Sequence, residues 1–347
     1  MPTLLRRDGQ SYFSASSYDK EGLFMNMPAS SAVDGTDGVG APVAAGSIEL
    51  TETAPSFAAL FPSTRYFEID SNIAGTRFGV WVTPPAQYDA DQAKSYSIVY
   101  QVDGNLFFPT TAPLHQAGQS DSMSPQLPFI LVSVGYCERE SHAWPWLRVR
   151  DLLPPGEVVP EVMLQAVELS VQAGLLPQDE GDRYLEMFAK PAADKFLGFL
   201  EEELHPQLAK SFRIDADNVG LWGVSYGGLF SAYVAIRRSD LFKRIGASSP
   251  GIVGEDSRIF ELYRQAVASK QDYSGRQLHI TLGGRELTEP GIYQWLTALG
   301  TSRLLAETSH HPLPGLEVSS EVIPLESHLS GGVPAWFSFL RACYRRD

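Results

Sequence analysis

Gly223-Val224-Ser225-Tyr226-Gly227 places a serine between two glycines, and this spacing suits a nucleophile held on a sharp turn. The chemistry would be acyl transfer through the hydroxyl. A serine hydroxyl is a weak nucleophile near neutral pH, so it needs a base, usually histidine, and a carboxylate to orient that base. It also needs two N–H donors that converge on the oxyanion of the tetrahedral intermediate. Three fixed residues in five recur by chance, so the surrounding elements decide whether Ser225 is such a serine or part of a structural turn.

The elements required are a buried strand before the serine and a helix after it. "NVGLWGV" (218–224) reads as the strand and "GGLFSAYVAIRRSDLF" (227–242) as the helix. Upstream, "RYFEID" (65–70) and "RFGVWVT" (77–83) alternate like half-buried strands, whereas "YSIVYQV" (96–102) and "FILVSVGY" (129–136) are nearly continuous apolar runs, as in strands covered on both faces. "AADKFLGFLEEELHPQLAKSF" (192–212) has helical spacing. "RIGASSP" (244–250), "LHITLGG" (278–284) and "EVSSEVIPL" (317–325) read as strands, and "PAWFSFLRACY" (334–344) as a closing helix. Alternation over this length predicts a doubly wound, mostly parallel α/β sheet with antiparallel first strands.

In that architecture the partners of the serine follow it in the order acid, then histidine. His279 falls inside a strand, and His310 and His311 lie in a polar turn. His328, in "PLESHLSGG", sits between the last strand and the last helix, where a base would reach the sheet's carboxyl edge. The acid is expected after the preceding strand, in "GGRELTEP", with Glu286 first, Glu289 second, and Glu326 or a dyad without an acid as alternatives. The oxyanion donors are expected to be the backbone N–H groups of Tyr226 and of Asn105 in "QVDGNLFF".

These ordered segments resemble the esterase D-like branch of α/β-hydrolases, and within it most closely the siderophore (enterochelin and salmochelin) esterases. The resemblance spans about residues 62–346 and includes "RVRDLLPP", "SPG", "GGRE" and "SHLSGGVPAWFSFL". It implies the α/β-hydrolase fold, Ser225 and His328 as nucleophile and base, Glu286 as acid and Asn105 as an oxyanion donor. Two departures bear on substrate. "SPGIVGED" replaces the "SPS" followed by tryptophans of relatives, and the stretch 156–190 is longer than expected and reads as a small helical cap insertion. Arg148 and Arg150 are candidate substrate-binding cations, and Arg148 could alternatively pair with Asp151.

Composition bounds the rest. The chain has 347 residues, 44% of them hydrophobic, and a net charge of −14, which opposes nucleic-acid or anionic-membrane partners. No run suits a membrane span and the first residues lack the apolar core of a secretory signal, so a cytoplasmic location is expected. Cys137 and Cys343 are too few for a disulfide framework, and neither a cofactor nor a metal is expected. Residues 1–60 read as a partly mobile leader through which an oligomer could form, and 61–347 as the catalytic domain. The expected activity is hydrolysis of a small carboxylic ester or lactone. The alternatives are acyl transfer through the same acyl-enzyme and a binding protein that has lost the chemistry.

Overall fold

The computed structural model describes residues 53–345, with Glu255 excepted. The expected leader, and the oligomer contact assigned to it, fall outside the described residues up to position 52. Its last residues form a short helix, α1 (Phe57–Leu60), and the rings of Phe57 and Phe61 lie 6.1 and 4.7 Å from that of Phe108.

Eight strands follow: β1 (Arg65–Asp70), β2 (Arg77–Thr83), β3 (Tyr96–Gln101), β4 (Phe129–Tyr136), β5 (Ile214–Val224), β6 (Arg244–Ser248), β7 (Arg276–Gly283) and β8 (Leu316–Ile323). They form one sheet in the order β1-β2-β4-β3-β5-β6-β7-β8, with β1 and β2 antiparallel and all pairs from β4 to β8 parallel. Every strand expected from the sequence is present, including the antiparallel start. The helices are α2 (Gly104–Gly118), α3 (Trp144–Leu152), α4 (Glu161–Gln172), α5 (Gln178–Phe188), α6 (Ala193–Gly198), α7 (His205–Ser211), α8 (Tyr226–Ile236), α9 (Arg258–Ser269), α10 (Gly284–Thr288), α11 (Leu299–His310) and α12 (Gly332–Cys343).

The central strands of the sheet are buried on both faces, which is why they read as continuous apolar runs. Alternate residues go to opposite cores. Ile98, Tyr100 and Leu221 join the larger core with α6 to α9, while Val99, Trp222 and Val224 pack with Phe108 of α2 and with Trp336 and Phe339 of α12. The stretch 156–190 supplies α4 and α5, which pack on each other and, through α5, on α3. No helix among the described residues is long and apolar enough to cross a membrane.

Candidate active site

Ser225 occupies the step from β5 into α8 at φ 60° and ψ −121°, a region that L-residues rarely adopt and that persists only when neighbours hold it. Three backbone bonds do so. Ser225 N–H donates to Ser248 O (3.0 Å), and Ser225 O accepts from Gly251 N–H and Leu229 N–H (both 2.9 Å). The two glycines permit the tight crossing of strand and helix. A Cβ on Gly223 would lie 2.4 Å from Gly227 O, and one on Gly227 would lie 2.8 Å from Val102.

His328 follows β8 and Glu286 follows β7, and the structure joins them, with Nδ1 of His328 3.1 Å from Oε2 of Glu286. Glu286 is 3% exposed, and all four of its acceptor directions are filled. Oε1 accepts from Ser249 Oγ (2.6 Å) and Gly283 N–H (3.1 Å). Oε2 accepts from Thr297 Oγ1 (2.5 Å) and from the imidazole. Burial pushes its pKa up, but the bonds from His328, Ser249 and Thr297 outweigh burial and hold it below the usual carboxylate range. An ionised carboxylate can only accept, so Nδ1 carries the proton and Nε2 keeps its lone pair. Tyr293 stacks on the ring, with centroids 4.1 Å apart and planes 17° apart.

Ser249 links this pair to the serine, because the same loop that bonds Glu286 through Ser249 bonds Ser225 through Gly251. The alternative acids stand apart. Glu289 is bound to Arg285 (2.6 and 3.0 Å), and Glu326 contributes its backbone oxygen to Arg285 N–H. Of the other histidines weighed as the base, His279 bonds Ser319 and Ser338 at 2.8 and 2.7 Å, and His310 ends α11.

The backbone N–H groups of Tyr226 and Asn105 donate to no acceptor among the described residues, while the next two N–H groups after Asn105 both reach Asp103 O. The Asn105 carboxamide, which the sequence reading left unused, clamps β4. Its Oδ1 accepts from Tyr136 N–H (2.7 Å) and its Nδ2 donates to Tyr136 O (3.0 Å).

The two arginines expected to meet substrate have other partners. Arg148 is bidentate on Asp103 (both 2.7 Å), not on Asp151, with its guanidinium against the rings of Trp144 and Tyr226. Arg150 is bidentate on Asp151 (2.7 and 2.9 Å) and also bonds Thr76. Asp103 and Asp151 are buried carboxylates that need a cation, and they consume both. Sequence spacing could not reveal the Asp103 pair, since its members lie 45 residues apart. Among the described residues no cluster of three or more His, Cys, Asp or Glu side chains is placed to hold a metal ion.

A serine at a strained strand-to-helix turn of a mostly parallel sheet, with a histidine and a carboxylate at the ends of later strands, defines the α/β-hydrolase fold. A family described as "Putative esterase" matches residues 170–307. The ferri-bacillibactin esterase BesA of Bacillus subtilis (strain 168) is 24% identical over 205 residues, covering 59% of this chain and 64% of that protein. The siderophore enterobactin esterase of Emericella nidulans is 27% identical over 197 residues, covering 56% and 59%. The chain thus spans less than two thirds of the length of each of these curated relatives. The solved siderophore hydrolase EstA from Aspergillus nidulans matches in fold with a TM-score of 0.65 at 22% identity, covering 85% of this chain and 99% of that one. The likeness to siderophore esterases read from the sequence therefore holds in these comparisons, and the fold is shared.

Proposed function

We propose that this chain is a serine hydrolase of carboxylic esters or lactones. The observation that carries the reading is the Glu286–His328 pair, which leaves Nε2 available as a base, on the same sheet edge as the strained Ser225 turn. Ser225 Oγ attacks the ester carbonyl as its proton passes to His328 Nε2. The ester C–O bond then breaks and the departing alcohol takes that proton, leaving an acyl-enzyme. Water, giving its proton to the same nitrogen, attacks the acyl-enzyme, and the acid leaves as Ser225 Oγ regains a proton. The N–H groups of Tyr226 and Asn105 hold the oxyanion at both tetrahedral stages, each worth on the order of 10²–10³ in turnover. The names of its relatives bring siderophore esters to this chain as candidate substrates.

The test is covalent labelling by a fluorophosphonate together with turnover of p-nitrophenyl esters. Wild type is expected to take up the label on Ser225 and to hydrolyse the esters. Ser225→Ala is expected to remain unlabelled and to lose turnover by on the order of 10⁴–10⁶. Equal hydrolysis by both proteins, or a label on another residue, overturns the assignment.

A further inference from the structure

A cavity of about 450 Å³ is lined by Pro160, Val253, Gly254, Trp295, Leu299, Gly300 and Arg303, and it shares Pro160 and Val253 with a small cleft that also touches Tyr226 and Gly251. Its volume falls within the range of small-molecule sites. Two of its walls are tied to the groups placed in catalysis. Val253 stands two residues after Gly251, whose N–H holds Ser225 O. Trp295 stands between Tyr293, which stacks on His328, and Thr297, which bonds Glu286. The two walls also meet directly, since a Cβ on Gly300 would lie 2.2 Å from Ile252 O. The loop and α11 therefore pack backbone to backbone behind the cavity, which fixes its shape before any ligand arrives. Val253 and Gly254, from the loop after β6, supply this wall.

Leu299 is 62% exposed within the lining, and in the sequence around His328 Leu329 and Leu325 are 79% and 86% exposed. Ile292, next to Tyr293, is also exposed. Arg303, the one cation among the lining residues, has its guanidinium 4.1 Å from the centre of the Phe260 ring.

We propose that this cavity receives an apolar aryl or alkyl group flanking the scissile bond, so that the substrate is a neutral, apolar-armed ester instead of a polyanionic chelate. This inference rests on the hydrolase reading and narrows it. Each methylene that enters the cavity is expected to raise kcat/KM about fourfold, the amount set by removing it from water.

The experiment measures kcat/KM by acid release for two series, p-nitrophenyl acetate to octanoate and the acetates of methanol to octanol, with p-nitrophenyl succinate as the anionic comparison. A rise of at least tenfold along one series, with succinate below butyrate, is expected. Val253→Trp, which fills the cavity, and Leu299→Arg, which alters an exposed position and so spares folding, are each expected to reduce the octyl-to-methyl or octanoate-to-acetate ratio about tenfold. Two flat series, a preference for succinate, or unchanged ratios in both variants overturn the proposal while Ser225-dependent hydrolysis stands. If no ester is hydrolysed, the hydrolase reading fails separately, and the cavity is read by titrating 2-naphthol into Ser225→Ala. Saturable fluorescence quenching that Trp295→Phe removes supports an apolar site, and no quenching overturns it.

Discussion

Two buried carboxylates at the carboxyl edge of this sheet are each paired with a basic side chain, and the two pairs are buried almost alike. In Asp103–Arg148 the side chains are 1% and 13% exposed, and in Glu286–His328 they are 1% and 11% exposed. Burial and contact distance therefore do not separate a structural pair from a catalytic one. What separates them is unused bonding capacity. Arg148 spends two of its N–H groups on Asp103 and covers its planar faces with Trp144 and Tyr226. Its charge cannot change at any accessible pH. His328 spends one nitrogen on Glu286, is braced on one face by Tyr293 and keeps a second nitrogen with a lone pair. The first pair anchors α3 to the turn that carries Asn105, while the second is the one to which the proposed mechanism gives the proton transfer.

The largest break in this comparison is Glu286→Gln. The amide can present an N–H where Oε2 accepted, which turns Nδ1 into the acceptor and places the imidazole proton on Nε2. A protonated Nε2 cannot take the Ser225 proton, so kcat is expected to fall on the order of 10³–10⁴. Glu289→Gln, which alters only an exposed pair with Arg285, serves as the control and is expected to leave kcat within twofold. Comparable losses in both variants would reassign the acid.

The converse break is Arg148→Met, which leaves Asp103 buried with Trp144 Nε1 as its remaining side-chain donor. Removing one member of a buried pair costs about 3–5 kcal/mol, so urea unfolding should move by that amount. The double variant with Asp103→Asn is expected to recover most of the loss, because no buried charge is then left alone. If the single variant is as stable as wild type, the pair is not the anchor described.

Much of this was legible in the sequence, and the reason is local. The strands that bury both faces have apolar runs that need no context, and Ser225, Glu286 and His328 follow three of the strands in the order the fold requires. Even β8, exposed along most of its length, falls where the sequence predicts a strand, at 317–325. The helix α2 could not, because Pro109 and Pro113 lie inside it and local propensity argues against continuing a helix there. Its packing through Phe108 against Phe61 and Trp81 overrides that signal. The groups that finish the site, Ser249, Thr297 and Tyr293, belong to loops and turns with no periodicity. Ser249 reaches Glu286 across 37 residues, and nothing in either segment marks the contact. Thr297 lies in a π-helical turn (Gln294–Ala298), a local distortion that often accompanies functional sites and has no sequence signature of its own.

A third carboxylate sharpens the contrast because burial outweighs the groups that favour its charge. Glu157, at the entry to α4, accepts from Arg258 N–H at the start of α9 (3.3 Å), and its Oε2 meets no donor among the described residues. Burial pushes its pKa up to about 7 from the ordinary 4.5. Between these two values the folded chain holds a proton that the unfolded chain has shed, so the stability Glu157 contributes falls as pH rises through this window, and above it the deficit is constant. Glu157→Gln, neutral at every pH, is expected to exceed wild type in unfolding free energy by on the order of 2–3 kcal/mol at pH 8.5 and to match it at pH 4.5. Urea titrations of both proteins at the two pH values measure the difference. An equal offset at both would mean that the carboxyl is solvated, and that the segment before α4 is held to α9 by packing alone.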